Sequence, residues 1–475
     1  MIYNKVMNTV LSKEFISDKL VSILGSDKVL RDSSQCLCSS FDSTNIADDV
    51  VICSAVVLPE STEDIVNVMK FAYEYEVPVV ARGAGTNLVG ACLPKKGGIV
   101  MDFSRMNRIL EINPENLTAT VEPGVVSSVF AKEVEKLGLY YPPDPSNHAV
   151  STIGGAVALC SGGPHSFKYG TTKDFVIDLK VVCADGRVMN TGSKCPKNVT
   201  GYDLTRLFVG SEGTLGIISE ITVKLIPKPL KKRVMIAYFD TLTDAGKTVN
   251  TIIENLVTPA VTDLMDYNTL NTIEKFMPTG LKTDSAAALL IETDGANPEN
   301  DEKLVVEACK KNNASFIQTS DTPEIEEKIW IARRSSFAAM ARLAPNVSAD
   351  DFVVPRENIV PEIEGIKRIC EKYNLKVGIM GHIADGNIHP NIALDLSNET
   401  EKNNLKEARK EMYALTLGLG GMLSGEHGIG CEKSAFMSLN IDETALSYMK
   451  AIKKLFDKKN ILNPGKIFEN LEEEK

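Results

Sequence analysis

A chain of 475 residues is longer than one hydrophobic core usually serves, and its 43% hydrophobic and 24% charged residues are typical of a globular protein, so we expect two or three domains. The net charge of −11 and the lack of any apolar run of roughly 18 residues argue against nucleic acid as a partner and against a transmembrane segment. The ten cysteines form no C-x-x-C pair, which argues against an iron–sulfur cluster, and without a visible signal peptide they predict free thiols in a cytoplasmic protein.

The N-terminal part of the chain begins with a polar stretch and continues with a strand–helix–strand pattern. Residues 1–48 predict an N-terminal extension with a helix over Lys13–Leu24. The β-branched run Val50–Leu58 predicts a buried strand, a helix follows it, and Val77–Val80 predicts the next strand. This order predicts a mixed α+β domain over residues 49–229.

A glycine-rich loop follows the second strand directly, and two more come later. The first, Ala81–Gly90, has the spacing G-x-G-x-x-x-x-G, which differs from the dinucleotide fingerprint G-x-G-x-x-G, and a tight turn explains it equally well. The second runs from Tyr141 through Ser151–Ala156 to Gly170, and the third is Gly210–Gly216. Glycines let backbone N–H groups approach a phosphate closely, so the three loops together favour a long phosphate-bearing cofactor in an extended groove.

Strands and helices alternate again past a proline-rich boundary near residue 229. Arg233–Phe239 and Ala286–Thr293 predict strands, and residues 242–256 and 299–312 predict amphipathic helices. This alternation predicts an antiparallel sheet covered by helices on one face.

The stretch Gly378–Gly430 contains three of the chain's five histidines, which are His382, His389 and His427. Each lies beside a glycine or a proline, which places it in a turn, and a single histidine of this kind can simply cap a loop. The carboxylate of Glu426 lies next to the last of them. Neutral imidazoles beside a carboxylate form a site for a borderline divalent ion, so we expect these four residues to have a chemical function.

Four motifs carry a resemblance to a known family. They are Pro78–Thr86 (P-x-x-x-R-G-x-G-T), Pro142–Ser146 (P-P-D-P-S), Thr152–Gly155 (T-I-G-G) and Gly210–Gly216 (G-S-E-G-T-L-G). In these motifs the chain resembles the flavoprotein family typified by vanillyl-alcohol oxidase and p-cresol methylhydroxylase. It is most similar to the branch of D-lactate, glycolate and D-2-hydroxyglutarate dehydrogenases. The resemblance extends over roughly residues 45–470 and includes the closing I-L-N-P-G-K at Ile461–Lys466.

The resemblance implies an α+β fold of the p-cresol methylhydroxylase type. An FAD-binding domain of two subdomains would span residues 49–229, and a substrate or cap domain with an antiparallel sheet and a metal site would span residues 230–430. A C-terminal segment, residues 431–475, would return to the FAD-binding domain. The FAD would be non-covalent, because Thr86 stands in the first loop where members with covalent flavin often have a histidine.

The residues that we then expect to bind FAD come from all three loops and from the C-terminal segment. They are Arg82, Gly83, Ala84, Gly85, Thr86, Asn87, Pro145, Ser146, Thr152, Gly154, Gly155, Ser161, Gly162, Glu212, Gly213, Gly216, Ile217, Ile218 and Asn463. For Asn463 there is a simpler alternative, because an Asn-Pro-Gly turn can end the last helix.

The resemblance also implies roles for the histidine-rich stretch. His382, His389 and Glu426 would bind a divalent metal, for which zinc, iron and manganese all stay open. His427 would be the catalytic base, taking the hydroxyl proton of a 2-hydroxy acid while flavin N5 takes the hydride. Adjacent side chains of an extended loop point in different directions, so Glu426 can face the metal while His427 faces the substrate.

Arg333 is the second catalytic residue that the resemblance implies. It ends a W-x-x-R motif, Trp330–Arg333, whose arginine the family places on the substrate carboxylate. A planar guanidinium group suits that role. A core tryptophan on a helix with exposed arginines is the alternative interpretation.

An acidic stretch bears on which acid is oxidised. In the D-2-hydroxyglutarate branch a lysine precedes the V-P or L-P dipeptide of the cap, whereas here Asp350 and Asp351 come before Val354-Pro355. Because acidic side chains would repel a dicarboxylate, we expect a small monocarboxylate, with D-lactate ahead of glycolate. D-2-hydroxyglutarate is the remaining alternative.

The electron acceptor must lie outside this chain, because the sequence has neither an NAD fingerprint nor cysteines spaced for a cluster. A partner such as an electron-transferring flavoprotein is one expectation. Two other functions stay open, namely a metal hydrolase with glycine-rich loops and a non-catalytic flavin subunit of an electron-transfer complex.

Overall fold

The computed structural model describes residues 11–44, 50–320, 322–469 and 471. The expected boundary at residues 48 and 49, and the final residues of the expected C-terminal segment, lie outside the described residues, and the domain limits stay predictions. Among the described residues, none of the helices combines the length and the apolar character needed to cross a lipid bilayer.

The N-terminal sheet contains the predicted strand–helix–strand unit. The elements of this region are α1 (Lys13–Leu24), β1 (Val29–Leu30), α2 (Ser33–Cys38), β2 (Ala55–Val57), α3 (Thr62–Tyr75), β3 (Val79–Arg82) and β4 (Ile99–Asp102). The strand order is β1-β2-β4-β3, with β2, β4 and β3 parallel and β1 antiparallel to β2. Ile65 and Met69 of α3 and Leu20 of α1 are buried in one core with this sheet. The glycine-rich loop at the end of β3 is therefore held on a rigid base.

An antiparallel sheet follows in the chain. Its region contains β5 (Ile109–Asn113), β6 (Thr118–Val121), α4 (Ser127–Glu135), β7 (Leu139–Tyr140), α5 (Ile153–Leu159), α6 (Ser166–Tyr169), α7 (Thr172–Phe175), β8 (Val176–Val182), β9 (Val188–Asn190), α8 (Leu204–Phe208), β10 (Ile217–Lys224) and β11 (Ile226–Pro227). The order is β5-β6-β10-β8-β9, and β7 pairs separately with β11. Phe130 of α4 and Phe208 of α8 lie in the core of this sheet. The second and third glycine-rich loops lead into α5 and β10.

The C-terminal sheet is larger and also antiparallel. Its region contains β12 (Lys231–Phe239), α9 (Leu242–Glu254), β13 (Val261–Asp266), α10 (Tyr267–Phe276), β14 (Ala287–Gly295), α11 (Pro298–Lys311), β15 (Ala314–Thr319), α12 (Pro323–Arg334), α13 (Ser336–Met340), β16 (Asn346–Ala349), β17 (Phe352–Val353), α14 (Ile359–Lys372), β18 (Lys376–His382), β19 (Asn387–Leu394) and α15 (Glu399–Gly418). The order is β15-β12-β14-β13-β18-β19-β16, and β17 also pairs with β19. The predicted α+β class and antiparallel sheet are confirmed.

Helices cover both faces of the C-terminal sheet, so the prediction of one covered face was wrong. Met235 and Phe239 of β12 pack with α9, α11, α14 and α15 in one core. The alternate residues Val234 and Ile236 pack with α10, α12 and α13 in another. Side chains of a strand alternate between faces, so the unbroken apolar run of β12 requires a cover on each side.

The chain returns to the N-terminal sheet at its end. The last helices are α16 (Met437–Asn440) and α17 (Glu443–Phe456). Beyond α17, Leu462 forms a parallel bridge to Val79 of β3, and Ile461 is buried in the same core as the N-terminal sheet. Phe456 packs edge-on against Phe208, with ring centroids 5.2 Å apart.

Candidate active site

A cavity of about 900 Å³, here the first cavity, lies where the three glycine-rich loops meet. Its walls come from the end of β3, the start of α5 and the start of β10. Fourteen of the nineteen residues expected to bind FAD line it, namely Arg82, Gly83, Ala84, Gly85, Thr86, Asn87, Thr152, Gly154, Gly155, Ser161, Glu212, Gly213, Gly216 and Ile218. The fold thus brings loops that are distant in the chain to one groove.

Close packing between the loops explains the glycines. A Cβ atom on Gly83 would overlap the hydroxyl of Thr152, which caps α5 by accepting a hydrogen bond from the Gly155 N–H. A Cβ atom on Gly154 would lie 2.5 Å from the Cβ atom of Pro123. Backbone therefore forms much of the cavity wall, and its N–H groups can approach a phosphate without intervening side chains.

The other five residues expected to bind FAD lie outside this lining: Pro145, Ser146, Gly162, Ile217 and Asn463. Ile217 packs into the hydrophobic core because side chains alternate along β10, where Ile218 faces the cavity. Asn463 supports the lining residues by hydrogen bonding, since its Nδ2 donates to the carbonyl oxygens of Ala91 and Glu212, each at 2.7 Å. A turn at Asn463 and a role in shaping the cofactor groove are therefore compatible.

His382, His389 and Glu426, here the His–Glu cluster, converge at the C-terminal sheet. His382 ends β18 and His389 lies on β19, and the antiparallel register of these strands places both imidazoles on one face. Glu426 Oε1 lies 3.5 Å from His382 Nε2 and 3.3 Å from His389 Nε2. The ligand atoms of the three residues are within 4.8 Å of one another, a spacing that suits one divalent cation.

Asp263 on the neighbouring strand β13 orients His382. Its Oδ1 accepts a hydrogen bond of 2.6 Å from Nδ1 of the imidazole, which leaves Nε2 directed at Glu426. Burial opposes protonation of His382, but the Asp263 and Glu426 carboxylates outweigh it and raise the imidazole pKa well above its ordinary value. A carboxylate behind a histidine in this way is the usual arrangement behind a metal ligand.

Arg333 is tied to the same carboxylate. Its Nε donates to Asp263 Oδ2, and Nη1 lies 3.3 Å from the sulfur of Met380. Arg333 is 4% exposed, whereas Arg334 is an exposed residue paired with Glu327, so the alternative of two exposed arginines holds for Arg334 alone. Asp263 thus connects the expected metal ligand His382 with the expected substrate arginine.

A second cavity, of about 1510 Å³, is lined in part by Arg333. Arg333 and Met380 line it together with Trp330, and Ser146 of the P-P-D-P-S motif lies in its wall. Cavity walls from both the N-terminal half and the C-terminal sheet place it between these two regions. A small molecule in this cavity would be in reach of the guanidinium group.

His427 lies against the His–Glu cluster without belonging to it. Its ring stacks on His389, with centroids 5.1 Å apart and planes 14° apart. Within the described part of the chain, its buried Nδ1 has no hydrogen-bond partner. Burial lowers the pKa of His427 against the opposing effect of Asp351, so the imidazole is neutral at neutral pH and can accept a proton.

The acidic residues Asp350 and Asp351 are buried and compensated inside the fold. Asp350 accepts hydrogen bonds from Ser348 and Arg409, and Asp351 accepts them from Asn387 and from the loop that carries Glu426 and His427; the two aspartates are 2% and 0% exposed. The argument that they repel a dicarboxylate substrate is therefore not supported, because both carboxylates are buried and bonded to partners inside the fold.

The loop Ser424–Gly428 is not the extended segment that we expected. The N–H groups of Gly425, Glu426 and His427 all donate to the same oxygen of Asp351, at 2.8, 3.0 and 2.9 Å. Successive N–H groups of an extended chain point in opposite directions, so these three residues curve around the carboxylate. Glu426 and His427 still point apart, but the curved backbone is the reason.

The His–Glu cluster adjoins the first cavity. A Cβ atom on Gly162 would lie 2.6 Å from Glu426 Oε2, and the preceding residue, Ser161, lines the cavity. Glu212, from the third glycine-rich loop, accepts hydrogen bonds from the N–H groups of Ile429 and Gly430, at 2.7 and 2.8 Å. These contacts bring the expected FAD groove and the expected metal ligands together.

Reasoning from the sequence missed Asp263 and misread Asp351. Asp263 and Asp266 are both charged residues within the buried strand β13, and a charge inside a buried strand is a signal that could have drawn attention to Asp263. Asp351 carries no such local signal, because its partners come from a loop that follows more than 70 residues later.

Comparison with known sequences decides the family. The family described as "FAD linked oxidases, C-terminal domain" matches residues 228–467, and the one described as "FAD binding domain" matches residues 53–192. The chain belongs to the FAD-linked oxidases. It is thus a flavoprotein oxidoreductase, and FAD fits the first cavity, whose glycine-lined walls leave backbone N–H groups facing the groove.

Relatives and solved structures agree with this family. The FAD-linked oxidase described here is 42% identical over 455 residues to "Glycolate oxidase subunit GlcD" of Bacillus subtilis (strain 168), covering 95% of this chain and 96% of the relative. It is 33% identical to "D-lactate dehydrogenase" of Anaerostipes hadrus, covering 86% and 88%. The solved structure of p-cresol methylhydroxylase shares the fold, with a TM-score of 0.80, 18% identity and coverage of 97% and 98%.

Proposed function

We propose that this FAD-linked oxidase oxidises a small D-2-hydroxy acid, D-lactate foremost, to the 2-oxo acid with the help of a divalent cation. The observation that carries the proposal is the contact of the His–Glu cluster with the first cavity through Gly162. Two imidazoles and a carboxylate beside the groove for the flavin support a metal-assisted reaction there. The relatives described as a glycolate oxidase subunit and a D-lactate dehydrogenase support this class of substrate.

His382, His389 and Glu426 would hold the cation. The donor set fits, because Asp263 occupies Nδ1 of His382 and, among the described residues, its buried Nε2 has no hydrogen-bond partner. A bound zinc, iron or manganese ion would polarise the hydroxyl oxygen of the substrate and so lower the pKa of that hydroxyl. The same ion would replace the proton that the two carboxylates otherwise hold on His382.

His427 would act as the base of the reaction. Its neutral imidazole accepts the hydroxyl proton at Nδ1, the buried nitrogen that the described chain leaves without a partner. When bound, FAD takes the hydride from C2 of the substrate, so two electrons and one proton leave with the hydride and the second proton stays on His427. Stacking on His389 keeps the ring beside the cation ligands.

Arg333 would hold the substrate carboxylate. Its Nε donates to Asp263 and its Nη1 lies near the sulfur of Met380, and the residue lines the second cavity, which supports this role for the planar guanidinium group. A substrate approaching through that cavity would meet the guanidinium group with its carboxylate while its hydroxyl faces the His–Glu cluster. Asp263 bonds to both Arg333 and His382, so an acid with its carboxylate on Arg333 and its hydroxyl at the cluster would be a short one.

Glycolate is the second candidate substrate, because the Bacillus subtilis relative is described as a glycolate oxidase subunit. D-2-hydroxyglutarate should be assayed as well, because the repulsion expected from Asp350 and Asp351 does not exclude it. The electrons would pass to a partner protein such as an electron-transferring flavoprotein, a proposal supported by the lack of an NAD fingerprint in the sequence.

The test begins with the purified protein and an artificial dye acceptor. We expect turnover with D-lactate and glycolate, loss of turnover after removal of metal with a chelator, and recovery when zinc, iron or manganese is added back. Full turnover in the stripped protein would eliminate the metal, and a preference for D-2-hydroxyglutarate would eliminate the small-monocarboxylate proposal. A non-catalytic subunit would show flavin absorbance but no reduction by any of these acids.

A further inference from the structure

We propose that Asp351 is a positioning residue that shapes the loop Ser424–Gly428, so that Glu426 reaches the metal and His427 stacks beside it. Asp351 lies just before β17, more than 70 residues ahead of this loop. The inference rests on the proposed function for the roles of Glu426 and His427. The shape of the loop itself does not depend on that function.

One carboxylate oxygen organises the whole loop. Asp351 Oδ2 accepts from the N–H groups of Gly425, Glu426 and His427 and also from the Ser424 hydroxyl, at 2.8 Å. Hydrogen bonds to an ionised acceptor are among the stronger ones, and four on one atom fix the backbone direction of three consecutive residues. The side chains of Glu426 and His427 then leave the backbone in different directions.

The other carboxylate oxygen fixes Asp351 itself. Oδ1 accepts from Nδ2 of Asn387 at 2.7 Å, and the same amide donates to the Phe352 carbonyl at 2.8 Å. A Cβ atom on Gly425 would overlap the Asn387 amide and lie 3.1 Å from Asp351 Oδ1. Position 425 therefore requires glycine for space, and the loop cannot move away from Asp351 without losing the shared donors.

A buried cation compensates the charge. Lys433 is 2% exposed, and its Nζ donates to the carbonyl oxygens of Asp351 and Leu423, at 3.0 and 2.6 Å. Lys433 thus connects Asp351 to Leu423, the residue that precedes the loop. A buried carboxylate is destabilising when it has neither hydrogen bonds nor a nearby cation, and Asp351 has both.

Asp351 is better explained as a positioning residue than as a metal ligand. Asp351, His389 and His427 have ligand atoms within 4.8 Å of one another, so they form a second group with metal-like spacing. The Asp351 carboxylate, however, already accepts five hydrogen bonds from the protein. A cation there would have to displace those donors. A cation bound by His382, His389 and Glu426 would displace no comparable set of hydrogen bonds.

The decisive variant is Asp351→Asn. An amide has one acceptor oxygen, and its NH₂ group would face either the loop N–H groups or the Asn387 amide, so some donors must lose their acceptor. We expect hydrogen–deuterium exchange of the amides at 425–427 to become about tenfold faster or more, since charge-assisted hydrogen bonds are lost. We expect affinity for Co²⁺, measured against a chromogenic chelator, to fall about 10–100-fold, with a changed visible spectrum of the bound ion.

Asp350→Asn is the matched control. It removes the same charge one residue earlier, and Asp350 is also buried, but its partners are Ser348 and Arg409. We expect wild-type exchange at 425–427, wild-type Co²⁺ affinity and an unchanged spectrum. Equal effects of the two variants would overturn the proposal, as would wild-type exchange and Co²⁺ binding in Asp351→Asn.

Two further variants keep the test decisive if Asp351→Asn fails to fold. Ser424→Ala removes one of the five donors and should produce the same changes to a smaller extent. Gly425→Ala keeps all charges but places a methyl group between the loop and Asn387, so it should loosen Co²⁺ binding while FAD content stays normal. Wild-type Co²⁺ binding in both would overturn the proposal.

The exchange measurement also separates this inference from the proposed function. If wild-type protein bound no Co²⁺ but Asp351→Asn still freed the amides at 425–427, the metal proposal would fail and the loop-shaping role would stand. If wild-type protein bound Co²⁺ but exchange at the amides 425–427 did not change in Asp351→Asn, the loop-shaping role would fail and the metal proposal would stand.

Discussion

The first cavity is walled mainly by backbone, whereas the His–Glu cluster consists of imidazole and carboxylate side chains. In the first cavity, glycines bring loops so close that a Cβ atom on Gly83 or Gly154 has no room. Around the cluster, a chain of ion pairs runs from Arg333 through Asp263 and His382 to Glu426. A groove for a phosphate-bearing cofactor thus depends on space, and the adjoining cluster depends on charge compensation.

The two regions should therefore respond differently to substitution. A neutral methyl group should disturb the first cavity and leave metal binding intact. A loss of charge without a change in volume should disturb the cluster and leave FAD binding intact.

The largest expected effect is that of His427→Ala. Without the base, flavin reduction by D-lactate in a stopped-flow experiment should slow about 10²–10⁴-fold. FAD content and Co²⁺ affinity should stay at the wild-type level, because His427 lies beside the cluster without completing it. A decrease of less than tenfold would show that another group takes the proton.

A methyl group at the cofactor groove should weaken FAD binding. In Gly154→Ala the new Cβ atom would lie 2.5 Å from Pro123, so the start of α5 must shift. Overpacking of this kind costs about 1–3 kcal/mol, or roughly 5–150-fold in FAD affinity, measured by titration of the apoprotein. Co²⁺ affinity serves as the internal control, and its loss in parallel with FAD would contradict the separation of the two regions.

Removal of the charge behind His382 should weaken metal binding. In Asp263→Asn a single amide oxygen must serve both the His382 imidazole and Arg333, and both lose a charged partner, so we expect about 10–100-fold lower Co²⁺ affinity. The matched control is Asp266→Asn on the same strand, whose carboxylate is also fully buried but is bonded to Thr269 and Lys367. The control should lose stability but keep the metal.

The smallest expected effect concerns stability in the helices behind the C-terminal sheet. Burial raises the pKa of Glu362 to about 7 from an ordinary value of 4.5, against the opposing hydrogen bond from Thr416. The folded state holds the proton more tightly, so this contribution to stability is complete below pH 4.5 and is lost as the pH rises to about 7.

Glu362→Gln should remove that dependence. Its stability relative to wild type should rise by about 3 kcal/mol from pH 4.5 to above pH 7, because 2.5 pKa units correspond to roughly that free energy. Thermal unfolding at pH 5 and pH 8 measures the difference, and turnover should not change. An equal shift in Tm at both pH values would contradict the assigned pKa.

Local signals were sufficient for much of the fold. Helix α1 was predicted over Lys13–Leu24 and is found there, because Ser12 caps its first turn and Gly25 ends it, and both residues are adjacent in sequence to the helix. The second layer of helices on the C-terminal sheet was missed. Its evidence is the unbroken apolar run of β12, which becomes informative only when both faces of the strand are considered.

The sequence by itself determined the family and the α+β class, and it predicted the residues that would supply a flavin groove and a metal site. Each of these depends on motifs of a few consecutive residues, and the chemistry of glycine, histidine and carboxylate is the same wherever the chain places them. The conformations of the histidine-rich stretch and its neighbours were decided by the tertiary structure. Asp263, Arg333 and Asp351 come from three separate parts of the chain, and the stability of a buried charge depends on the partners that surround it in space.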